Sequence, residues 1–374
     1  MSAINNINGK APRGCVLVIN TGSTTTKFAV YRDGDSILEV KLEHSAEELA
    51  KYSDVMQQDK MRTEAILSAL NEAGIALESI DIVMARGGLF VPCVAGVYEV
   101  NDDMKEVLST SRDGNHACNL SALIGDQIAT RINAKAYIAD APMADEMIPE
   151  VRLTGVPEFK RTSVLHTLNS RAIVRRYLSE TGRKAENTTA IVCHMGGGVS
   201  VSLHKDGRII DTTNALGGDG PITPERAGGC PPFQLIDMCF SGKYSKAEIK
   251  KKLVGRGGAV AYFGTNDMRL VEQRAAEGVE EYVLFMKAFV LSISKYIAAL
   301  ATVVNGKVDA ILLTGGIAHS KTVTDGITER VKWIAPVTVY AGENELESLA
   351  ENGYLILAGE AKVHTYDKNN VIED

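Results

Sequence analysis

The sequence predicts an α/β protein of two domains, each with a mixed β-sheet. Three observations support this fold class: a strand–loop–strand unit occurs twice, helices and strands alternate after each copy, and glycines cluster directly after apolar strands. The chain has 374 residues, a length that is expected to form about two domains of ordinary size. Apolar residues make up 45% of the chain, which supplies enough material for two buried cores.

The repeated unit is a β-hairpin whose two strands are joined by a glycine-containing loop. The first copy, residues 15–37, reads CVLVINTGSTTTKFAVYRDGDSI, and the second, residues 190–210, reads AIVCHMGGGVSVSLHKDGRII. In both copies an Asp-Gly pair separates two apolar runs, which is a strong signal for a tight hairpin turn. The wide separation of the copies favours a duplicated domain over a short solenoid repeat.

Helical and strand-like segments alternate between and after these hairpins. Helices are predicted within 45–73, 119–132, 162–180 and 279–304. Strands are predicted at 79–85, 136–139, 309–314 and 337–341. Asn119 is a suitable cap for its helix. The longest apolar segment, 279–304, carries charged residues such as Glu280 and Lys295, which predicts a buried core helix rather than a membrane span.

These segments predict a domain organisation with a junction between residues 140 and 162. Residues 1–14 are polar and small, so they are expected to form a flexible tail rather than a signal peptide. The first domain is expected over 15–160 and the second over 161–352. The last segment, 353–374, is expected to pack back on the first domain.

Charge and cysteine content exclude several classes of partner and compartment. The chain has 40 basic and 47 acidic residues, a net charge of −7, which argues against a nucleic-acid-binding protein. Its six cysteines are scattered, with no C-x-x-C pair, so reduced thiols in the cytoplasm are expected. No membrane association is expected.

Glycine is in excess, with 34 residues, and three groups of glycines follow apolar strands. The loops are NTGSTTTK at 20–27, GGG at 196–198 and GG at 315–316. Backbone amides in such loops can approach phosphate closely, hydroxyl groups add donors, and Lys27 adds a positive charge. The pattern predicts phosphate binding, although each loop alone is also compatible with a simple tight turn. The segment GGIAHSKT, from residue 315, differs from a P-loop because Ser320 replaces the second glycine.

A fourth loop is rich in both glycine and proline. Residues 217–232 read GGDGPITPERAGGCPP, a composition that excludes regular helix or strand. The loop carries Asp219, Glu225 and Arg226. Ordered loops of this kind frequently hold functional residues, and the alternative is a solvated connector.

An ordered set of motifs resembles the acetate/butyrate kinase family, which has the actin–hexokinase–Hsp70-type fold. The matching stretches are VINTGSTTTKFAVY, ARGG, HACNLSALI, ADAPMADEM, VLHTLNSR, VCHMGGGVSV, DGPITPERAGG, YFGTNDMR, LLTGGIAHS and AGENELESLA. The resemblance implies two duplicated ribonuclease-H-like domains with mixed β-sheets and an interdomain cleft. The first domain would form the carboxylate and phosphate side, and the second the nucleotide side.

The resemblance also implies an activity. Family members use ATP and Mg²⁺ to phosphorylate a short-chain carboxylic acid, reversibly, to an acyl phosphate. The ARGG form is similar to that of the butyrate kinases in the family, so butyrate is the expected acceptor. Acetate, propionate or a branched acid are the alternatives within this class. A non-enzymatic nucleotide switch of the same fold is the alternative from another class. The expected assembly is a homodimer or a higher homo-oligomer.

Site residues follow from the same resemblance, by matching positions. For ATP it implies Asn20, Ser23, Thr25, Lys27, His194, Gly196, Gly197, Gly198, Arg269, Gly315, Gly316 and Ile317. For Mg²⁺ it implies Asp140 and Glu345. For catalysis it implies Arg226, His166, Arg86 and Asp140. For the carboxylate it implies Arg86, with His116 nearer the substrate pocket. The alkyl chain needs an apolar wall, for which Val91, Pro92 and Leu120 are candidates, and a plain core position is the alternative for each of the three. Carboxylates suit Mg²⁺, and guanidinium groups suit carboxylate and phosphoryl oxygens.

Overall fold

A computed structural model describes residues 4, 11–90, 92–111, 115–217 and 219–369 of the chain. The strands of this part are β1 (Cys15–Thr21), β2 (Thr25–Arg32), β3 (Asp35–Glu43), β4 (Ile82–Arg86), β5 (Val97–Glu99), β6 (Lys135–Ala139), β7 (Thr189–Met195), β8 (Val199–Lys205), β9 (Arg208–Thr212), β10 (Ala310–Gly315), β11 (Val337–Ala341) and β12 (Val363–His364). The α-helices are α1 (Ala46–Leu49), α2 (Asp59–Glu72), α3 (Asp102–Ser109), α4 (Asn119–Arg131), α5 (Pro149–Arg152), α6 (Thr167–Thr181), α7 (Pro232–Phe240), α8 (Lys246–Leu253), α9 (Gly258–Phe263), α10 (Met268–Ala276), α11 (Glu280–Val303), α12 (Lys321–Val331) and α13 (Glu345–Leu357). Short 3-10 turns lie at Val55–Gln58, Leu77–Ser79, Ala185–Asn187 and Gly316–His319.

The chain divides into two compact units, and both boundaries differ from those expected. The first unit comprises Met1–Ala144 and Asn344–Asp374, and the second comprises Asp145–Glu343. The segment after residue 144 joins the second unit because the Ile148 N–H donates to the Ile210 carbonyl of β9 (3.1 Å). All of α13 joins the first unit, because Gly353 lets the helix lie directly against β1 and β4.

The first unit holds a seven-stranded mixed sheet in the order β12-β5-β6-β4-β1-β2-β3. Strands β1, β2 and β3 are antiparallel neighbours, whereas β4 runs parallel to both β1 and β6. Helix α4 covers one face, and its Leu120, Ile124 and Ile128 side chains are fully buried. This alternation of elements is the arrangement that the sequence predicts for the first half.

At two places in this unit the described residues differ from the local expectation. The helical segment expected over 45–73 is interrupted, because the Asp54 side chain accepts the Met56 N–H (2.8 Å) and starts a new turn. Within the expected flexible tail, Ile4 is buried, and its N–H donates to the Gly34 carbonyl (2.8 Å). Residues 1–3 and 5–10 of that tail lie outside the described residues.

The second unit repeats the antiparallel hairpins in a five-stranded sheet of order β11-β10-β7-β8-β9. Strands β7, β8 and β9 are antiparallel neighbours, and β10 runs parallel to both β7 and β11. The Asp-Gly turns predicted in both units have left-handed backbones, with φ of 49° at Asp33 and 52° at Asp206. The duplicated strand–loop–strand unit is therefore present in both sheets.

Helix α11 is the core helix of the second unit. It has 24 residues and is long and apolar enough to cross a membrane by length and composition alone. Its Phe289, Ile293 and Ile297 side chains are fully buried and pack in the hydrophobic core of this unit. These contacts agree with the buried helix that its interspersed charges predict.

The stability of the second unit is expected to fall as the pH drops below about 6.5, because His204 is buried on β8. Burial, together with the charge of Arg171, lowers the pKa of His204 to about 3. Below the unfolded-state pKa of histidine, the unfolded chain binds a proton at this residue and the folded chain does not. The free energy of unfolding therefore falls by roughly 1 kcal/mol per pH unit. The His204→Gln variant, whose amide can still bond Ser202 Oγ, should show a flatter loss of unfolding free energy in urea between pH 7 and 5. The exposed His319→Gln variant is the matched control, and parallel curves for all three proteins would contradict the prediction.

Candidate functional site

In the first unit, three predicted site residues lie at one edge of the sheet. Asn20 is near the end of β1, Arg86 ends β4, and Asp140 follows β6 directly. Because these three strands are parallel neighbours, their carboxyl ends share one edge. Asp140 has a left-handed backbone, with φ of 46°, and its N–H donates to the Gly96 carbonyl (2.8 Å). The sheet thus groups an amide, a guanidinium and a buried carboxylate.

Glu345, the first residue of α13, joins this group from the far end of the chain. Its Oε2 accepts the Asn20 side-chain amide at 2.5 Å, and its Oε1 lies 3.1 Å from Arg86 Nη1. The same Nη1 donates to Asn20 Oδ1 at 3.3 Å. Folding therefore brings together residues that are far apart in the sequence. The resulting cluster contains a positive charge that can bind a carboxylate and a negative charge that can bind a cation.

The cluster at this edge is compatible with Mg²⁺ in its chemistry. Asp140 and Glu345 supply carboxylate oxygens, the ligands that Mg²⁺ prefers. Among the described residues no group of three or more His, Cys, Asp or Glu side chains forms a complete metal site. In Mg²⁺ sites of proteins, water and substrate phosphates commonly complete the coordination shell around one or two carboxylates.

The loop between β1 and β2 and the first residues of β2 hold the other predicted phosphate-binding residues of this unit. Ser23 and Lys27 are exposed, and Thr25 is half-buried. Lys27 is paired with Asn20 across the β1–β2 ladder, so the lysine and the cluster share one end of the hairpin. Two exposed polar side chains, one in this glycine-containing turn and one on the strand that follows it, are available to an anionic ligand.

The residues predicted for the substrate pocket differ in how far they are buried. Leu120 is fully buried among the side chains of the first core, so this position is a core residue and does not present a pocket wall. Pro92 is half-buried, and Val91 lies outside the described residues. His116 is exposed, and its Nδ1 accepts the Cys118 N–H (3.2 Å) just before α4.

Asn119 does not cap α4 as the sequence predicts, and its side chain bonds the backbone after β4 instead. No side chain caps α4, which begins at Asn119 itself. Instead, Asn119 Oδ1 accepts the Leu89 N–H at 2.8 Å. A Cβ at Gly88 would lie 2.7 Å from the same oxygen. Asn119 therefore holds the ARGG segment that follows β4.

In the second unit, His166 and His194 form a stacked pair. Their ring centroids are 3.9 Å apart, with an angle of 11° between the planes. His166 Nδ1 is 2.9 Å from Ser200 Oγ, and His194 Nδ1 is 3.0 Å from Asn169 Oδ1. His194 Nε2 also lies 3.3 Å from a carboxylate oxygen of Glu343. The stacked rings and their partners hold both histidines in fixed orientations.

A cavity of about 960 Å³ in this unit brings five predicted nucleotide-binding residues together. These residues are Gly196, Gly197, Arg269, Gly316 and Ile317. Its size lies at the upper end of the range for small-molecule sites, which suits a nucleotide. The wall also contains polar residues to which the sequence assigned no role in binding: Asn266, Asp267, Glu272, His319, Ser320 and Glu343. Their position beside the cavity follows only from the tertiary structure.

Two glycines beside this cavity are required by close contacts. Gly315 has a left-handed backbone, with φ of 90°, and a Cβ there would overlap the Met195 backbone. A Cβ at Gly198 would overlap the Arg226 guanidinium. The glycines of these loops thus admit neighbouring groups that no other residue would tolerate.

Arg226 lies on the Gly/Pro loop, and its guanidinium rests against Gly198. Its Nε and Nη1 atoms are buried and have no hydrogen-bond partner among the described residues. Burial lowers the pKa of Arg226 from its ordinary value, an effect that the nearby Glu225 charge opposes. A guanidinium stays protonated at physiological pH, so this is a desolvated cation with unused donors.

The backbone of the Gly/Pro loop is fixed on both sides of Arg226. Thr223 Oγ1 accepts the Arg226 N–H at 2.9 Å and donates to the Gly197 carbonyl at 3.1 Å. Earlier in the loop, Asp219 pairs with Arg161 (2.5 Å), which also pairs with Asp211 (3.0 Å), and after Arg226 the Ala227 N–H donates to the Leu253 carbonyl (2.9 Å). Gly218 lies outside the described residues. The described part of this segment is therefore an anchored loop rather than a loose connector.

Arg269 forms a local ion pair and also lines the cavity. Its Nε and Nη2 each donate to an Asp267 carboxylate oxygen at 2.9 Å, at the start of α10. Its side chain is nevertheless 92% exposed and lines the cavity. An exposed pair of this kind contributes little stability, so the guanidinium can exchange its partner for a ligand at small cost.

Comparison with known proteins shows the family of this chain. Residues 160–363 match the acetokinase family. Butyrate kinase 1 of Clostridium acetobutylicum is 46% identical over 351 residues, which cover 94% of this chain and 99% of that protein. This chain belongs to the acetokinase family. Butyrate kinase 2 of the same organism is 44% identical over the same shares of both chains.

Solved structures confirm the fold class of this acetokinase-family protein. The Porphyromonas gingivalis acetate kinase superposes with a TM-score of 0.76 at 19% identity, over 92% of this chain and 100% of that chain. The Francisella tularensis propionate kinase has a TM-score of 0.72 at 20% identity, over 91% and 98%. The predicted α/β fold, with two mixed sheets in ribonuclease-H-like domains, is thereby confirmed.

Proposed function

We propose that this protein is a butyrate kinase, which transfers the γ-phosphoryl group of ATP to the carboxylate of butyrate. A carboxylate oxygen forms a bond to the γ-phosphorus as the bond to the ADP oxygen breaks, giving butyryl phosphate and ADP; the reverse reaction forms ATP. Support comes from 44–46% identity to two butyrate kinases over nearly the whole chain. The observation that carries the proposal is the anchored Arg226 guanidinium with buried, unused donors.

The second unit would bind the nucleotide and stabilise the transferred group. Gly196, Gly197, Gly316 and Ile317 would line the ATP site, and Arg269 would lie at its rim. Arg226 and His166 would offset the charge on the phosphoryl oxygens during transfer. Phosphoryl transfer depends mainly on positioning and charge stabilisation, so a fixed guanidinium is the most valuable group that the protein can supply.

The first unit would hold the acceptor, the metal ion and phosphate oxygens. Arg86 would bind the butyrate carboxylate, since guanidinium and carboxylate have matching planar geometries. Asp140 and Glu345 would hold Mg²⁺, which neutralises phosphate charge when it is bound. Asn20, Ser23, Thr25 and Lys27 would contact phosphate or metal-bound water. The Arg86–Glu345 pair would keep the guanidinium in place before the acceptor binds.

The proposed enzyme is cytoplasmic and forms a homodimer or a higher homo-oligomer. All six cysteines are free thiols, which suits a reducing compartment. Two of them, Cys230 and Cys239, are exposed, and an oxidising environment would make them liable to intermolecular pairing.

A hydroxylamine trap for acyl phosphate tests the proposed activity directly. With ATP, Mg²⁺ and butyrate, the protein should produce hydroxamate well above an ATP-only background. Initial rates over straight and branched acids of two to six carbons should give butyrate the highest kcat/KM. A higher kcat/KM for acetate, propionate or a branched acid would contradict the butyrate assignment. Absence of product with every acid, in a protein that still binds ATP, would favour the nucleotide switch.

A further inference from the structure

Arg62, on α2, is the largest fully buried side chain of the described residues. Its guanidinium lies beneath the loop between β1 and β2, and it is absent from the motifs that indicated the function. No carboxylate lies within ion-pair distance of it in the described part of the chain. Burial of a cation without a carboxylate partner is costly unless dipoles compensate for it, so the arrangement requires a reason.

The compensation comes mainly from backbone carbonyls of the loop. Arg62 Nη1 donates to the carbonyl oxygens of Gly22 and Thr25, both at 2.9 Å. Arg62 Nη2 donates to the Ser23 carbonyl at 3.0 Å. Further bonds go to Gln58 Oε1 (2.8 Å) and Thr26 Oγ1 (3.0 Å). One guanidinium therefore donates hydrogen bonds to three backbone carbonyls within a stretch of four residues.

The inward carbonyls determine where the loop amides point. In a planar trans peptide the carbonyl and the following N–H lie on opposite sides. Because the Gly22 and Ser23 carbonyls face Arg62, the Ser23 and Thr24 N–H groups face away from it. Both residues are exposed, and neither N–H donates to another described residue. The loop thus presents two unused backbone donors at the surface.

We propose that Arg62 is a positioning residue for the phosphate loop at 20–27. Its hydrogen bonds orient the loop carbonyls toward the protein interior, so that the Ser23 and Thr24 N–H groups point outward and can donate to the oxygens of the transferred phosphoryl group. This inference rests on the proposed kinase function, in which the same loop contacts phosphate. Arg62 acts through the backbone and does not touch the ligand.

Arginine is suited to this position for a specific reason. Its planar fork carries five donors, enough for three carbonyls and two side-chain acceptors, whereas an ammonium group has three. A neutral apolar side chain would leave the Gly22 and Ser23 carbonyls without donors, and the Thr25 carbonyl would keep only the Gly22 N–H. They would then rotate toward water, and the amides would turn away from the phosphate position. In addition, the unpaired charge of Arg62 favours an anion above the loop.

Three variants test the proposal. Arg62→Met removes every donor while retaining an unbranched side chain, and Arg62→Lys retains the charge with fewer donors. Leu70→Ala is the matched control, because Leu70 is equally buried on α2 but packs in the core away from the loop. Two quantities are measured for each: kcat/KM for acyl phosphate formation, and the gain in melting temperature with Mg·ATP over that with Mg·ADP.

Arg62→Met should lower kcat/KM by about 100-fold and abolish the ATP-over-ADP gain, which reports the γ-phosphate. Arg62→Lys should recover part of both, with a loss of roughly tenfold. Leu70→Ala should lower the melting temperature but keep kcat/KM within about twofold. If Arg62→Met does not fold, the roughly tenfold loss in Arg62→Lys is the deciding value.

Two outcomes would overturn the role of Arg62. One is an active wild type whose Arg62 variants retain kcat/KM and the ATP-over-ADP gain. The other is an equal loss in Leu70→Ala at the same melting temperature, because the loss would then follow from instability alone. Failure of the kinase function is separate: the wild type itself would form no acyl phosphate with any acid.

Discussion

Replacing Arg226 with alanine is expected to lower kcat by about a thousandfold, with a change in the Kd for ATP of about threefold or less. The guanidinium is desolvated, anchored through Thr223 and left with unused Nε and Nη1 donors. Such a group binds the charge that develops during transfer more strongly than the charge of the ground state, so its loss affects the chemical step. Steady-state rates and ATP titration measure the two quantities.

Two further variants make the Arg226 prediction specific. Arg226→Lys keeps the charge but not the planar donors, so it should recover only part of kcat. Arg256→Ala removes an exposed arginine from the same region and should leave kcat within about twofold of the wild type. An unchanged kcat in Arg226→Ala, or a loss that appears only in the Kd for ATP, would contradict the assigned role.

The Gly198→Ala variant is expected to reproduce most of the Arg226→Ala defect, although it removes no functional group. A Cβ at this position would overlap Arg226 Nη1, and the guanidinium would have to leave its place. Displacement of a charge-stabilising group by about 1 Å is enough to cost about 100-fold in rate. The expected result is a loss of kcat of at least about 100-fold with a small change in melting temperature.

The neighbouring Gly197→Ala variant provides the comparison. A Cβ at Gly197 would lie 3.6 Å from Glu225 Oε1, an ordinary van der Waals contact. The loss of kcat should therefore be smaller than about tenfold, even though Gly197 lines the cavity. Equal losses in both glycine variants would show that the loop, and not the position of Arg226, controls the rate. A combined Gly198→Ala/Arg226→Ala protein should be no slower than Arg226→Ala alone.

Local sequence patterns predict the elements of this fold well. Alternating apolar residues and Asp-Gly turns predict both hairpins, and the interspersed charges of the longest apolar segment predict a core helix. These features depend on neighbours in the chain, so the sequence alone carries them. Local capping was less predictable: Asp54 interrupts the expected helix over 45–73, and Asn119 bonds Leu89 instead of capping α4. In both cases a short polar side chain finds a backbone partner that helical spacing does not reveal.

Candidate site residues were predictable where they carry a recognisable motif. The glycine loops and Arg226 are examples, and the cavity contains the glycines of two of these loops. Thr223 and Arg62 were missed because their partners are backbone carbonyls and amides, which have no sequence signature. For Leu120 the sequence left core and pocket both open, because a core leucine and a pocket leucine look the same in a sequence, and its full burial places it in the core.

The sequence by itself determined the fold class, the duplicated hairpin unit and the family, since each depends on local periodicity or on ordered motifs. Tertiary structure alone decided that Glu345 meets Asn20 and Arg86, that Gly198 admits Arg226, and that Arg62 turns three carbonyls inward. Those contacts join residues distant in the chain, so they depend on strand order and helix packing. The physical reason for the division is that secondary-structure patterns arise from neighbouring residues, whereas the positions of charged groups arise from how the elements pack.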